Sequence, residues 1–264
     1  MFFRAKLAWH VPYVVRVEKD EGVMAQGVLV FAEVAQGHLT ALAREMLGAG
    51  RRLAEALGEP LLAAVLGEGV QEAAQEAVYH GADSAYVADA PVLAHYQTLA
   101  YSAVMAQIAE QTTPNILLIG MGDIGRELGP RLAFRLRTGL ASDCVELTIN
   151  PATKLMEATR PVSGGNAMAT VVIEQARPQM ATVRGKTMEP AVRDTTRQGS
   201  INAVTVNLAA VPTGVKLVER VKAEAAGVRL EEAEIVISCG RGLKGSEDFE
   251  AVLLPCARVL GAAV

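Results

Sequence analysis

Strand and helix patterns alternate four times between Gly27 and Gly139, and this alternation constrains the fold more than any other feature. Short β-branched and aliphatic runs predict strands at 27–33, 60–67, 84–89 and 115–120. Apolar residues at helical spacing predict helices at 39–58, 70–81, 98–111 and 124–139. Such alternation is typical of an α/β fold, a doubly wound and mostly parallel sheet with right-handed crossovers. Gly48 and Gly50 weigh against an unbroken first helix.

The pattern becomes β-rich after residue 140. Strand-like segments separated by Pro, Gly and Asn follow one another, namely ASDCVELTIN, KLMEATRPV, AMATVVIEQ, PQMATVR and INAVTVNLA. We expect this β-rich extension to add antiparallel hairpins to the sheet. Near the end, Ile235–Ile237 predicts a buried strand, and a helix is expected to begin near Ser246.

These patterns predict three parts. Residues 1–23 form an N-terminal extension, 24–210 an α/β domain, and 211–264 a linker with the first strand, turn and helix of an incomplete Rossmann-like domain. Three alternatives stay open: Met24 is the functional start and the extension is not native, the extension is loosely held, or it adds an edge strand across Tyr13–Val17. No cleavage motif follows its broken apolar stretch, so a signal peptide is not expected.

Composition excludes several classes of protein. A net charge of −4 and a pI near 5.7 are unlike the basic footprint of a protein that binds nucleic acid or an anionic membrane. No apolar run approaches the roughly 20 residues of a membrane span. The three cysteines have no C-x-x-C spacing, so we expect no metal site and a reducing, cytoplasmic location.

The segment GMGDIG at 120–125 matches the G-x-G-x-x-G fingerprint of dinucleotide-binding folds. It follows a predicted strand and opens a helix, and Asp143 lies 18 residues beyond Gly125, near the spacing of a ribose-binding acid. Against this interpretation, the fingerprint normally occupies the first strand–helix turn, and Asp143 is placed near the start of its predicted strand. The segment is therefore either a nucleotide site or a coincidence in a glycine-rich chain.

Two further segments and one helix face carry candidate binding residues. In 157–172, Arg160 and Pro161 precede Gly164 and Gly165, a pair that permits close approach of a ligand or is simply a hairpin turn. In 177–189, Arg184 and Lys186 follow the end of a predicted strand, and this end either faces a partner or is solvated. The fourth helix presents either a binding patch or a solvated face that includes a Glu127–Arg131 pair, its arginines being Arg126, Arg131, Arg135 and Arg137.

No segment combines a nucleophile, a base and an orienting group, so chemistry is expected to come from a cofactor. Several segments together resemble the alpha subunit of the electron-transfer flavoprotein family, in its bacterial branch. The resemblance runs from about Gly27 to the last residue and is carried by VLVFAE, GRELGPRLAFRLRTGLASDCVEL, TRPVSGGNAMATVV, RPQMATVR and ISCGRGLKGSEDFE.

The resemblance implies an N-terminal α/β domain that binds no nucleotide, followed by a domain that holds FAD. Within the GRG motif it implies that Arg241 contacts FAD, flanked by Gly240 and Gly242. It also implies a heterodimer with a beta subunit that carries AMP or a second FAD. The pair would pass electrons from flavoprotein dehydrogenases, including those of fatty acid beta-oxidation, to a quinone reductase or another acceptor.

The sequence departs from the family pattern in two places. Cys239 stands where the family usually has glycine. The Gly-Ala-Ser-Arg, Gln-Thr-Gly and Ser-Gly/Gln-His segments that carry most FAD contacts do not follow Val264, so we expect a truncated alpha subunit. A strand, turn and helix cannot bury their apolar faces alone, so residues 234–264 are expected to pack poorly or to borrow a partner surface, and FAD affinity to be lost.

Three functions therefore stay open at the level of sequence. The first is an electron carrier that depends on FAD and a beta subunit. The second is a fragment that retains only beta-subunit docking and holds no flavin. The third is an NAD-binding enzyme that uses GMGDIG.

Overall fold

The computed structural model describes residues 3–6, 25–208, 217–219, 230, 233–243 and 245–264. The chain divides into two compact units, Met1–Gly214 and Val215–Val264. The edge strand expected across Tyr13–Val17 lies outside the described residues, as does most of the connector at 211–233. None of the described helices has the length and apolar character that crossing a bilayer requires.

The first unit contains both long strands and long helices. Its described strands are β1 Phe3–Lys6, β2 Val28–Phe31, β3 Val34–Ala35, β4 His38–Leu39, β5 Leu61–Gly67, β6 Ser84–Asp89, β7 Ile116–Gly120, β8 Leu140–Cys144, β9 Glu146–Ile149, β10 Met156–Val162, β11 Ala167–Ile173, β12 Gln179–Val183 and β13 Ser200–Ala203. Its described α-helices are α1 Ala41–Leu57, α2 Gln71–Tyr79, α3 Thr98–Thr112 and α4 Asp123–Arg135. The four predicted strand–helix pairs are all present.

A seven-stranded sheet in the order β13-β6-β5-β2-β7-β12-β8 forms the centre of the unit. Every pair of neighbouring strands in it is parallel. The side chains of β2, β5, β7 and β12 are buried along their whole length, because helices cover both faces of the sheet. Those continuous apolar runs are the reason that the sequence predicts a parallel sheet.

Helix α1 begins and ends where its capping residues allow. The Thr40 hydroxyl accepts a hydrogen bond from the Ala43 N–H at 3.0 Å, and Gly58 ends the helix with a φ of 71°. The helix continues unbroken through Gly48 and Gly50, which the sequence made doubtful. A side chain at Gly48 would collide with the backbone carbonyl of Glu189, so the glycine serves close packing.

The β-rich segment after residue 140 does not extend the parallel sheet with antiparallel hairpins, and that expectation is wrong. The strands β9, β10 and β11 form a separate antiparallel sheet with β1, while β8, β12 and β13 join the large sheet in parallel. β12 lies between β7 and β8, and its residues are all buried, as expected for an interior strand.

The second unit has little regular structure among its described residues. A single parallel bridge joins Val236 to Ala263, and the chain between them contains a helical segment composed of Ser246–Asp248, Phe249–Leu253 and Leu254–Leu260. The helix begins where the sequence predicts. The prediction of a buried strand at Ile235–Ile237 is wrong, since Ile235 and Val236 are 43% and 51% exposed. Among the described residues, this segment forms only an isolated bridge to Ala263.

Candidate functional site

The chain reverses its direction of winding between β2 and β7, where parallel α/β sheets normally bind ligands outside the carboxyl ends of the strands. The GMGDIG segment begins at the end of β7, so it lies at this switch point. From β2 the chain proceeds to β5 and β6 on one side and returns to β7 on the other. The structure therefore places the fingerprint at the correct edge of the sheet.

The side chain of Leu42 already packs against the glycines at this edge of the sheet. A side chain at Gly120 would collide with Leu42 of α1, and one at Gly122 would approach Leu42 Cδ2 to 3.3 Å. A Cβ at Gly125 would overlap the Gly120 carbonyl oxygen, so Gly125 allows α4 to pack against β7. Packing therefore explains Gly120 and Gly125, while Gly122 has only a mild contact with a flexible leucine.

The charges of the crevice also oppose a pyrophosphate. Burial raises the pKa of the Glu33 carboxyl, and the nearby negative charge of Asp123 raises it further. Asp123 opens α4, the place where a phosphate would lie in a nucleotide fold. An occupied crevice lined by two carboxyl groups does not favour dinucleotide binding at GMGDIG.

Asp143 is engaged elsewhere. It lies at the penultimate position of β8, not near the start of its strand, with a φ of 60°. Arg184 donates two hydrogen bonds to its carboxylate, from Nε at 3.0 Å and from Nη2 at 2.7 Å. This bidentate pair uses both oxygens that a ribose would need.

A cavity of about 470 Å³ adjoins this pair and is lined by Asp143, Arg160, Pro161, Val162, Ser163, Gly164, Gly165 and Arg184. We name it the basic cavity. Arg160 Nη1 donates to Ser142 Oγ at 2.8 Å, which fixes the guanidinium beside β8. The structure thus brings together the two segments, 157–172 and 177–189, that the sequence marks separately.

The electrostatics of the basic cavity are dominated by arginine. The hydrogen bonds from Arg184 lower the pKa of Asp143 against the opposing effect of burial, and the positive charges of Arg184, Arg160 and Arg126 lower it further. Asp143 therefore stays ionised and neutralises one arginine. Together the cavity-lining residues retain one positive charge, from two arginines and one aspartate.

The loop that closes the basic cavity has unusual backbone geometry. Ser163, Gly164 and Gly165 have φ values of 53°, 67° and 93°, in the left-handed region. No atom lies within 4 Å of the positions that side chains would take at the two glycines, so their backbone faces open space. The glycine pair serves the turn and leaves the backbone accessible.

A second cavity, of about 380 Å³, lies between α1 and the segment 189–197. Beside it, Asp83 Oδ2 accepts a hydrogen bond from Arg51 at 2.7 Å, and Asp83 Oδ1 accepts one from Arg197 at 2.5 Å. Asp83 also accepts from the Leu61 N–H at 2.8 Å. We name these contacts the Asp83 clasp, a structural link that the sequence did not reveal.

The predicted FAD-contact residues lie in an exposed turn of the second unit. Gly240, Arg241 and Gly242 are exposed, and the Leu243 N–H donates to the Gly240 carbonyl at 3.1 Å. No atom lies within 4 Å of the Cβ positions at either glycine. Cys239 is exposed and has a φ outside the left-handed region, so a side chain is tolerated there.

The helix that follows this turn carries acidic residues at its start. Glu247 and Asp248 lie in the first turn, where their charges already interact favourably with the helix dipole. A phosphate group would therefore be bound better by Arg241 and the glycine backbone than by the helix N-terminus. These residues fit the phosphate end of a flavin nucleotide in chemistry, since a guanidinium pairs with phosphate oxygens.

The comparisons with known proteins agree on one family. Residues 28–209 match the family model described as the electron transfer flavoprotein domain. The chain is 39% identical over 240 residues to the electron transfer flavoprotein subunit alpha of Megasphaera elsdenii, covering 90% of this chain and 71% of that protein. It is 41% identical over 239 residues to protein FixB of Clostridium saccharobutylicum, with the same coverage.

A third relative is named for the enzyme that it serves. The acryloyl-CoA reductase electron transfer subunit beta of Anaerotignum propionicum is 35% identical over 240 residues, which covers 82% of this chain and 65% of that protein. The match to the family model covers all strands of the seven-stranded parallel sheet and ends before the exposed turn at Gly240–Gly242.

Proposed function

Because the chain belongs to the electron transfer flavoprotein family, among its alpha subunits and FixB proteins, we propose that it carries electrons through FAD as a heterodimer with a beta subunit. The observation that carries this proposal is the family match across the whole sheet of the first unit, 28–209. A cofactor is needed because electron transfer of this kind is carried out by a bound redox group and not by amino-acid side chains.

In this proposal the exposed turn at Gly240–Gly242 belongs to the flavin site. When bound, FAD supplies the one- and two-electron chemistry. Arg241 holds its pyrophosphate or a flavin carbonyl, and the open backbone of Gly240 and Gly242 lets the cofactor approach closely. The acidic first turn of the next helix keeps the phosphates on the arginine side.

The proposed partners follow from the family and from the names of relatives. A beta subunit holds AMP or a second FAD, flavoprotein dehydrogenases donate electrons, and a quinone reductase or another acceptor receives them. One relative is named as an electron transfer subunit of acryloyl-CoA reductase, which supports service to an acyl-CoA enzyme such as those of fatty acid beta-oxidation. We place the complex in the cytoplasm.

A second candidate function is docking of the beta subunit without flavin. It is favoured by the apolar side chains that the second unit leaves in solvent, including Val252 and Val259. A unit that exposes these residues has few internal contacts with which to preorganise a cofactor site. An NAD-dependent enzyme is not favoured, because Leu42, Glu33 and Asp123 occupy the switch-point crevice.

The test is a visible absorption spectrum of the chain co-expressed with a beta subunit from the source organism, together with the intact mass of each chain. Flavin bands at one FAD per alpha chain, and their loss in Arg241→Gln, would support the electron carrier against the loss of FAD affinity that the missing segments predict. Arg258→Gln is the matched control, since Arg258 is also exposed in the second unit. A colourless wild-type complex would support docking alone, and full flavin in Arg241→Gln would remove Arg241 from the site.

A further inference from the structure

The guanidinium of Arg160 has unused hydrogen-bonding capacity. Of its five N–H donors, one donates to Ser142 Oγ, and no other hydrogen bond from this side chain is made within the described part of the chain. Its Nε is buried without a partner among the described residues. Because Arg160 also lines the basic cavity, its unpaired terminal N–H groups are available to an acceptor that enters the cavity.

The charge of the basic cavity matches a single carboxylate. Asp143 already neutralises Arg184 through its bidentate pair, which leaves the charge of Arg160. One carboxylate would neutralise the net charge of the residues that line the cavity. A phosphate group carries nearly twice that charge and would lie beside the ionised Asp143, so it is the poorer match.

The rim of the basic cavity has the composition of a protein interface. Met168 lies directly opposite Pro161 in the β10–β11 register and is 48% exposed. Methionine and arginine are enriched where proteins meet, and an exposed methionine adapts to the shape of a partner. The open backbone of Gly164 and Gly165 on the same rim admits close approach of another chain.

We propose that the basic cavity accepts an aspartate or glutamate side chain of the beta subunit. Arg160 donates terminal N–H groups to that carboxylate, while Met168 and the glycine pair lie against the neighbouring residues of the partner. This inference rests on the proposed heterodimer and assigns one of its contacts to the first unit.

Titration calorimetry of the complete chain with its beta subunit tests the inference, at low and at high salt. Arg160→Gln should weaken binding at least about tenfold and flatten the salt dependence, because a hydrogen-bonded charge pair is lost at the interface. Arg135→Gln is the control, since Arg135 is exposed on α4 and has no ion pair among the described residues. It should leave the affinity and the salt dependence unchanged.

Met168→Asp provides a second variant that leaves Arg160 and its contact with Ser142 intact. It places a negative charge on an exposed rim position, so it should also weaken binding through repulsion of the incoming carboxylate. If Arg160→Gln fails to fold, the affinity of Met168→Asp for the beta subunit tests the proposed contact.

Different failures have different meanings. If the wild-type chain binds the beta subunit and folded Arg160→Gln and Met168→Asp bind equally well, the cavity inference is overturned and the heterodimer stands. If the wild-type chain does not bind a beta subunit, both are overturned. If inorganic phosphate binds the free chain through Arg160 and the variants keep their affinity for the beta subunit, the ligand of the basic cavity is a small anion and the protein carboxylate is ruled out.

Discussion

At the scale of single residues, small side chains determine how closely the elements approach. Gly125 brings the first turn of α4 against the end of β7, because any Cβ would overlap the Gly120 carbonyl. Gly122 precedes the helix with an ordinary extended backbone and has a flexible leucine as its nearest neighbour. The glycines of one short motif therefore differ sharply in their tolerance of substitution.

Replacing Gly125 with alanine should lower the free energy of unfolding by about 1–3 kcal/mol, the usual cost of overpacking, despite the better helix propensity of alanine. Gly122→Ala should cost less than about 1 kcal/mol, since Leu42 can shift slightly. Urea denaturation of both variants measures the difference. Equal stability of the two variants would contradict the packing explanation of GMGDIG.

The three cysteines should differ in reactivity. Burial raises the pKa of the Cys144 thiol to about 12, with Arg160 opposing and Asp143 reinforcing the shift. Cys239 and Cys256 are exposed. Iodoacetamide at mildly alkaline pH should therefore alkylate Cys239 and Cys256 but spare Cys144, as peptide mass spectrometry can show. Denatured protein, in which all three thiols react, is the control.

At the scale of elements, the Asp83 clasp ties distant segments to one carboxylate. Arg51 comes from α1, Leu61 begins β5, and Arg197 belongs to the segment that leads into β13. Burial alone would raise the pKa of Asp83, but the hydrogen bonds from Arg51 and the Leu61 N–H, with the charges of Arg51 and Arg197, lower it. The clasp therefore holds the edge of the sheet through an ionised group.

Asp83→Asn should destabilise the protein by about 1–3 kcal/mol at neutral pH, because two arginines lose their charged acceptor. A carboxyl group whose pKa is lowered by folding stabilises the protein above its unfolded pKa of about 3.9, and this stabilisation is lost as the pH falls through the folded value. Denaturation at pH 7 and at pH 3 should show the difference between wild type and variant shrinking in acid. A constant difference would contradict an ionic clasp.

At the scale of the whole molecule, the two units have different properties. The first contains a seven-stranded parallel sheet buried on both faces. The second has a single bridge and a helical segment among its described residues, and it carries Arg241. The stable scaffold and the proposed flavin contacts are therefore in separate parts of the chain.

This separation predicts where FAD will stabilise the complex. A ligand stabilises the state that it binds, by about 2.7 kcal/mol when its concentration is 100 times the Kd. Hydrogen exchange of the complex with the beta subunit should slow on FAD addition in peptides from 233–264 and stay constant in β2, β5 and β7. The effect should disappear in Arg241→Gln. Protection confined to the first unit would refute the proposed location.

The extent to which this fold follows from sequence is clearest in α1 and β12. The helical spacing over 39–58, with Gly58 at its end, predicts α1 almost to its ends, because periodicity and helix stops are local properties. The position of β12 between β7 and β8 depends on contacts between segments far apart in the chain, and the prediction of antiparallel hairpins there was wrong. An apolar run indicates a buried strand but does not specify its neighbours.

The candidate sites divide in the same way. The sequence by itself determined the alternating strand–helix units and the glycine turn around Arg241, since each depends on residues close together in the chain, and it determined the family through several such segments. Only the tertiary structure decided that Leu42 fills the switch-point crevice and that Arg184 pairs with Asp143, 41 residues away. Those contacts depend on strand order, which long-range packing selects and local sequence does not encode.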